Sequence, residues 1–291
     1  MELLNTLYNL MSLVFVLGTI CSMGLSLTIK QITGPLRSAR FVIIALLANF
    51  VVPVILALVL IQLFSLDEPL AVGLLLVSLA AGAPALPKTA VFAKLDTAEA
   101  TGLMVLLVVV TILVMPILLP LFLTGVSVTF WDIASGLVYL ILIPLAISLF
   151  IRARYPDVAA SIQPMFAQAS NLSLLILMVL MIVLNFNDVI GLLGSGGLLA
   201  SLILIVLTTA GGYLLGRLGK AGGWLQALGA GQRNIAAAMV VATTNFGNNE
   251  IVMVVVFSLI GMVVLIPLAM ELGKRRGGNL TQENEKPEPA V

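Results

Sequence analysis

Most of this chain consists of continuously apolar runs of about 20 residues or more, separated by short polar stretches; residues 38–64 and 97–124 are examples. A helix that crosses the hydrocarbon core of a bilayer needs about 20 mainly apolar residues, whereas a membrane β-strand would alternate over about ten. The runs therefore predict a bundle of membrane-spanning helices. Hydrophobic residues make up 61% of the 291 residues and charged residues 9%, which excludes a soluble domain with a polar surface.

The apolar runs and their polar boundaries predict about nine spanning helices. We place them near residues 8–28, 38–64, 68–95, 97–124, 132–152, 160–184, 194–218, 221–246 and 249–272. The first run has no basic residue before it, so we expect a span and not a removed signal peptide. Residues 1–276 would form one transmembrane domain, and the polar residues 277–291 a disordered cytoplasmic tail.

The positive charges predict the orientation of the chain in the membrane. With nine spans, 12 of the 14 Lys and Arg residues fall on one side, and the opposite loops hold none. Loops rich in Lys and Arg lie in the cytoplasm. The chain is therefore predicted to be a multi-pass protein of the plasma (inner) membrane, with its N-terminus outside and its C-terminus cytoplasmic. The two remaining cations are Lys88 and Arg233.

Two of the predicted spans are interrupted by residues that break helices. The third is broken by Gly and Pro within 80–87, and the eighth by Gly within 228–234. Such breaks are tolerated at membrane depth only where protein or a water-filled cavity satisfies the freed backbone groups. Because the two spans are five apart, they cross in opposite directions, which indicates inverted repeats at about 8–124 and 160–272. Transporters built this way bind their substrate near the midplane, between the broken helices.

Each break is accompanied by one cation, Lys88 at the first and Arg233 at the second. A charged side chain in the bilayer costs about 2.5–3.5 kcal/mol on insertion scales and usually faces a cavity. No acidic residue lies deep enough in an apolar run to neutralise either cation, so an anion is predicted to bind nearby. Two alternatives stay open. Backbone carbonyls at the helix crossing could satisfy Arg233, and the long stem of Lys88 could reach the cytoplasmic interface.

Five uncharged polar residues complete the set of candidate substrate-binding residues. They are Gln232 and Asn234, which flank Arg233, together with Asn49, Asn171 and Thr243. Polar side chains in membrane helices also make simple hydrogen bonds between helices. A structural role is therefore the alternative for each of them.

The chain has no histidine and one cysteine, Cys21. This excludes disulfide frameworks and every catalytic triad that needs an imidazole. The sequence contains no phosphate-binding loop and no metal-ligand spacing. We therefore expect that the protein is not an enzyme and holds no metal or cofactor. Its expected partners are a small organic anion and the lipid bilayer, and not nucleic acid.

Three stretches resemble the bile acid:sodium symporter family and its bacterial relatives. They are Met23-Gly24-Leu25-Ser26-Leu27-Thr28, Ala93-Lys94-Leu95-Asp96 after the first break, and Gly231-Gln232-Arg233-Asn234 at the second. The resemblance covers nearly the whole chain. It implies nine or ten helices in inverted repeats, divided into a panel and a core with crossed broken helices. It also implies transport of organic anions such as bile acids, pantothenate-type acids or keto acids.

The resemblance does not extend to the family's sodium ligands. These are a Ser-Asn pair after the first break and a Glu-x-Gly-x-Gln-Asn pattern at the second. In this chain the pair is absent, Gly229 stands at the Glu position and Arg233 at the Gln position. Sodium needs oxygen ligands, and a guanidinium has none. The family's ligand set therefore does not carry over, and we expect no sodium coupling.

Together these features predict a sodium-independent secondary transporter of a small organic anion that works by alternating access. One alternative is a sodium-coupled symporter of bile acid-type or pantothenate-type anions. Another is a membrane scaffold or receptor that does not transport. A cation exchanger of similar architecture is disfavoured, because its site normally needs an intramembrane carboxylate.

The predicted orientation can be tested with single cysteines in a background where Cys21 is replaced. A cysteine at Ser127 or Asn187 should react with an impermeant maleimide added to intact cells, because both positions lie in predicted external loops. A cysteine at Ala153 should react only after the membrane is permeabilised. External labelling at Ala153 would reverse the assignment.

Overall fold

A computed structural model describes residues 2–28, 38–123, 129–184 and 194–284, and every regular element in these ranges is a helix. The helices are α1 (Glu2–Ser26), α2 (Ala39–Leu63), α3 (Glu68–Leu79), α4 (Leu86–Phe92), α5 (Thr97–Phe122), α6 (Phe130–Arg154), α7 (Pro156–Leu184), α8 (Gly197–Leu218), α9 (Gly223–Gly231), α10 (Ile235–Asn245) and α11 (Asn248–Asn284). Two of them contain a π-helical turn, Leu47–Val51 in α2 and Val138–Leu142 in α6.

Six helices of the described ranges are long and apolar enough to cross a membrane, namely α1, α2, α5, α6, α8 and α11. The predicted all-α, multi-pass membrane fold is therefore confirmed. The other three predicted spans are α7 and the two interrupted ones, formed by α3–α4 and α9–α10. Helix length and composition alone do not establish these three, so the count of nine spans stays a prediction.

The predicted division into inverted repeats, 8–124 and 160–272, also stays a prediction, as does the domain boundary after residue 276. Helix α11 continues to Asn284, and residues 285–291 lie outside the described ranges. The labelling positions Ser127 and Asn187 lie outside them as well.

Several helices begin at a side chain that accepts hydrogen bonds from the first turn. The Asp96 carboxylate accepts bonds from the backbone N–H groups of Ala98 and Glu99 at the start of α5, at 2.7 and 3.0 Å. Helix α6 begins with a reciprocal capping box between Thr129 and Asp132. Capping satisfies N–H groups that have no partner within the helix, so the sequence sets these starts locally.

The helices pack in two groups. We call α1, α6 and α7 the panel, and α2–α5 with α8–α11 the core. Two glycines of α1 allow close packing inside the panel. A Cβ at Gly18 would lie 3.1 Å from the Phe166 carbonyl oxygen of α7, and a Cβ at Gly24 would lie 2.6 Å from the Ser148 Cβ of α6. The panel meets the core where the first half of α6 packs on α5 and α10, and where α1 packs on α10.

The first interruption separates α3 from α4 over residues 80–85. Gly82 has φ +83°, which L-residues with a side chain rarely adopt. Pro84 disfavours a helical conformation at the residue before it, and Pro87 lies in the first turn of α4, where proline is tolerated. The end of α3, the non-helical segment and the start of α4 are therefore all set locally by glycine and proline.

Gly82 is a sensitive position, because a Cβ there would lie 2.5 Å from the Val108 backbone nitrogen of α5. The substitution Gly82→Ala should lower the free energy of unfolding by about 2 kcal/mol or more, since backbone strain and overpacking act together. Gly261→Ala in α11 is the control, because the nearest atom to its Cβ would be 3.9 Å away. Thermal unfolding of the purified protein in detergent measures both. Equal melting temperatures would contradict the close approach of Gly82 to α5.

Candidate functional site

The two interrupted helices touch each other at their breaks. The backbone N–H of Asn234 donates a 2.8 Å hydrogen bond to the carbonyl of Ala80. Asn234 lies between α9 and α10, and Ala80 lies between α3 and α4. The broken helices therefore cross in the centre of the core, and each break supplies a partner for a backbone group of the other.

Arg233 lies at this crossing, and its side chain is buried, with 5% relative exposure. Its Nε donates to the Val77 carbonyl at 2.8 Å and its Nη1 to the Ala230 carbonyl at 3.3 Å. Its Nη2 donates to the Asn49 carbonyl at 3.0 Å and also to the Ser78 carbonyl. One guanidinium thus binds four backbone carbonyl oxygens from three parts of the chain.

These carbonyls are available because helices end or bend where they lie. Val77 and Ser78 belong to the last turn of α3, and Ala230 to the last turn of α9; the last four carbonyls of a helix have no partner within it. Asn49 lies in the π turn of α2, and the residue four positions on, Pro53, has no N–H to donate. The C-terminal ends of two half-helices, which carry negative partial charge, therefore both face the Arg233 cation.

A threonine of α5 supports the opposite side of the first break. The Thr111 hydroxyl accepts a 3.0 Å hydrogen bond from the Ala81 N–H and donates a 3.1 Å bond to the Ala81 carbonyl. A hydroxyl can do both at once. Thr111 thereby satisfies an entire peptide residue that has left the helix. The sequence analysis missed this residue, although an isolated hydroxyl in the apolar run of α5 was a usable signal.

Gln232 and Asn234 also hold the crossing together. Gln232 Nε2 donates a 2.6 Å bond to the Thr89 hydroxyl of α4, and Asn234 Oδ1 accepts a 3.1 Å bond from the Ala237 N–H at the start of α10. Three buried polar atoms nearby make no hydrogen bond within the protein: Gln232 Oε1, Asn234 Nδ2 and Asn49 Oδ1. These three atoms keep unused hydrogen-bonding capacity at the crossing.

Lys88 lies one residue before Thr89 in the first turn of α4, but its side chain is exposed. Ala85, Val91 and Phe92 are exposed with it along α4, whose other faces pack on α5, α9 and α11. Within the described ranges the one ion pair joins Arg275 to Glu271, so no carboxylate there neutralises Lys88. The two cations therefore have opposite surroundings, because Arg233 is enclosed and Lys88 is open.

Thr243 and Asn171 lie away from the crossing. Thr243 is an exposed residue nine positions beyond Asn234, about 14 Å along the axis of α10, and its hydroxyl donates a 2.7 Å bond to the Met239 carbonyl. Asn171 is exposed on α7 of the panel. A cavity of about 540 Å³ opens next to Thr243 between α6 and α10, and it is lined by Asp132, Ser135, Gly136, Tyr139, Leu140, Thr244 and Asn245.

The structure thus brings four of the seven candidates together, namely Asn49, Gln232, Arg233 and Asn234. Lys88 lies on the adjoining half-helix α4, Thr243 on the far part of α10, and Asn171 on α7 of the panel. Whether any of the seven binds substrate stays a prediction. The sequence analysis did not identify Thr89, Thr111 or the four carbonyls, because a backbone carbonyl has no signature in the sequence. Pro53, four residues after Asn49, was the one available signal.

Comparison with models of known protein families shows which family this chain belongs to. The model of the Sodium Bile acid symporter family matches residues 12–192, which is more than half of the chain. The chain belongs to the sodium bile acid symporter family. The match contains the first interrupted helix and ends before the second, so Arg233 lies outside it. The family description is that of a membrane transporter, in agreement with the apolar helices. A search of curated proteins finds no match.

The Thr111 contact makes a prediction that does not depend on the substrate. Thr111→Val keeps the shape of the side chain but removes the hydroxyl donor to the buried Ala81 carbonyl and leaves the Ala81 N–H with its 3.1 Å bond to the Leu79 carbonyl, so the free energy of unfolding should fall by about 1–3 kcal/mol. Thr101→Val is the control, because the Thr101 hydroxyl bonds only the Thr97 carbonyl of its own helix. Thermal unfolding in detergent separates the two. An equal loss in both variants would mean that Thr111 does not support the break.

Proposed function

We propose that this member of the sodium bile acid symporter family is a secondary transporter of a small organic anion. Alternating access of the panel against the core would move the anion. The observation that carries the proposal is the direct contact between the two interrupted helices, from Asn234 to Ala80. Helices that end inside a membrane need a reason to do so, and in transporters the reason is a binding site at the ends.

The charge and polarity of this region favour an anion. Lys88 is exposed and has no ion-pair partner within the described ranges. An ammonium facing lipid is costly, so a water-filled cleft beside α4 is the favourable surrounding. Asn234 Nδ2 is a further buried donor without a partner in the protein. Each of these two donors is of a kind that binds a carboxylate oxygen.

The packing of the two groups favours movement of one against the other. Each group is closely packed internally, with glycine contacts such as Gly24 on Ser148 in the panel and Gly73 on Met253 in the core. At the boundary, a Cβ on Gly136 of α6 would lie 3.2 Å from the Thr244 hydroxyl of α10, next to the 540 Å³ cavity. A boundary that combines close contact with open space supports rigid-body opening and closing.

A sodium-coupled organic anion symporter is the second candidate. The observation that favours it is the family match itself, because the family is described by sodium symport. The two candidate functions share the substrate class and the movement of the panel against the core. They differ in whether a mobile cation must bind together with the anion.

A screen of carboxylates by thermal shift, with and without sodium, tests the proposal most directly. Binding of a carboxylate to the native state should raise the melting temperature in a dose-dependent way. The best ligand should then be taken up into proteoliposomes that contain the purified protein. If no carboxylate shifts the melting temperature and none is taken up, the proposal fails and a non-transporting scaffold or receptor is favoured.

Lys88→Gln should weaken binding of that carboxylate about fivefold, which corresponds to about 1 kcal/mol for an ion pair in a hydrated cleft. Arg154→Gln at the end of α6 is the control, since Arg154 is exposed, lies over the Tyr155 ring and belongs to the half of α6 that packs on α1 and α7 of the panel. Titration of the carboxylate by thermal shift measures both affinities. An affinity unchanged by Lys88→Gln would remove Lys88 from the substrate site.

A further inference from the structure

We infer that the Arg233 guanidinium takes the place of a bound cation at the helix crossing, so that this transporter needs no sodium. The inference rests on the proposed function for its consequence, which is sodium-independent transport. The structural part, a fixed cation enclosed by carbonyl oxygens, rests on the contacts of Arg233 alone.

The surroundings of Arg233 have the chemistry of a cation site. Its ligands are the carbonyl oxygens of Val77, Ser78, Ala230 and Asn49. Three of them come from the C-terminal ends of half-helices. Unwound backbone carbonyls and half-helix C-termini are the groups that coordinate coupling ions in transporters with broken helices. Here the same type of oxygen cage is filled by a side chain of the protein.

Arg233 also leaves little opportunity for a mobile cation in its cage. Four N–H···O contacts engage Nε, Nη1 and Nη2, and the residue is 95% shielded, with a relative exposure of 5%. A second positive charge beside it would be repelled in a medium of low dielectric constant. The carbonyl oxygens that sodium would need are already occupied by donors.

Position 229, close to Arg233 in the second break, also provides no carboxylate ligand for a sodium ion. Gly229 lies four residues before Arg233, and a Cβ there would lie 3.0 Å from Leu103 Cδ2 and 3.7 Å from Leu86 Cδ2. An apolar wall therefore replaces a carboxylate on this side of the crossing. Within the described ranges no group of three or more acidic or cysteine side chains is placed to hold a metal ion.

A fixed cation has a mechanical consequence. Arg233 belongs to the break between α9 and α10, while its partners belong to α2, α3 and α9. Its hydrogen bonds therefore tie both interrupted helices and α2 into one unit without a bound ion. A crossing whose carbonyl cage is filled by sodium would lose these particular links whenever the ion dissociates. In this chain the core should behave as one body whether or not sodium is present.

The first experiment compares cations on the unmodified protein. Replacement of sodium by potassium or choline at constant ionic strength should leave the melting temperature unchanged and the carboxylate uptake within about twofold. A melting temperature that rises saturably with sodium, or uptake that rises more than about tenfold with it, would overturn the inference.

The second experiment uses chemical rescue and needs no substrate. Arg233→Ala opens a space bordered by four carbonyls, so its melting temperature should fall by several degrees and should recover when millimolar guanidinium or methylguanidinium is added. Arg217→Ala on α8 is the control, because Arg217 is exposed and bonds only the Tyr213 hydroxyl. Rescue of both variants, or of neither, would show that Arg233 does not occupy a cation cage.

If Arg233→Ala cannot be purified, Arg233→Lys, which keeps the positive charge, is tested in its place. Arg233→Lys retains one positive charge but lacks the planar set of donors. It should therefore fold with a melting temperature below that of the unmodified protein, and that temperature should not change with sodium. A stabilisation of Arg233→Lys by sodium would contradict the inference. If the unmodified protein binds no carboxylate, the proposed function fails, but the rescue experiment still decides the role of Arg233.

Discussion

The centre of this protein depends on one requirement, namely that backbone groups freed by two broken helices find partners without water. Each unsatisfied group in a bilayer costs several kcal/mol. The protein meets the requirement in three ways. The breaks bond each other from Asn234 to Ala80, Thr111 bonds both polar groups of Ala81, and Arg233 binds four carbonyls. Glycine at two positions lets neighbouring helices approach the breaks closely, since a Cβ at Gly82 would meet the Val108 backbone of α5 and a Cβ at Gly231 would meet the Thr209 hydroxyl of α8.

The same contacts explain the electrostatics of the crossing. A lone arginine in an apolar run predicts an anion nearby, yet the Arg233 charge is met by carbonyl dipoles at the C-terminal ends of α3 and α9. Cations are stabilised at helix C-termini, and a guanidinium with five N–H donors can bind several carbonyls at once. The second cation, Lys88, has no such enclosure. The division of labour that we propose, with Lys88 open to a substrate and Arg233 bound to the fold, follows from this difference in burial.

The division into panel and core connects the crossing to function. The crossing ties α2, α3, α4, α9 and α10 into one unit, while the panel touches this unit mainly through α6 and α1. In the alternating-access mechanism that we propose, the boundary between this unit and the three-helix panel opens on one side of the membrane and closes on the other. The cavity beside α10 lies on this boundary and not inside the core.

The sequence by itself determined the all-helical membrane fold, the positions of both breaks and the family. It did so because apolar length, Gly and Pro act locally: α2, α5 and α8 begin and end within three residues of the predicted runs 38–64, 97–124 and 194–218. The sequence also identified Lys88 and Arg233 as unusual, but it could not distinguish their roles. Only the tertiary structure decided this. The partners of Arg233 include backbone oxygens more than 150 positions away along the chain, and a carbonyl is present in every residue. Its availability depends on where helices end and on which ends meet, which is a property of the packed chain.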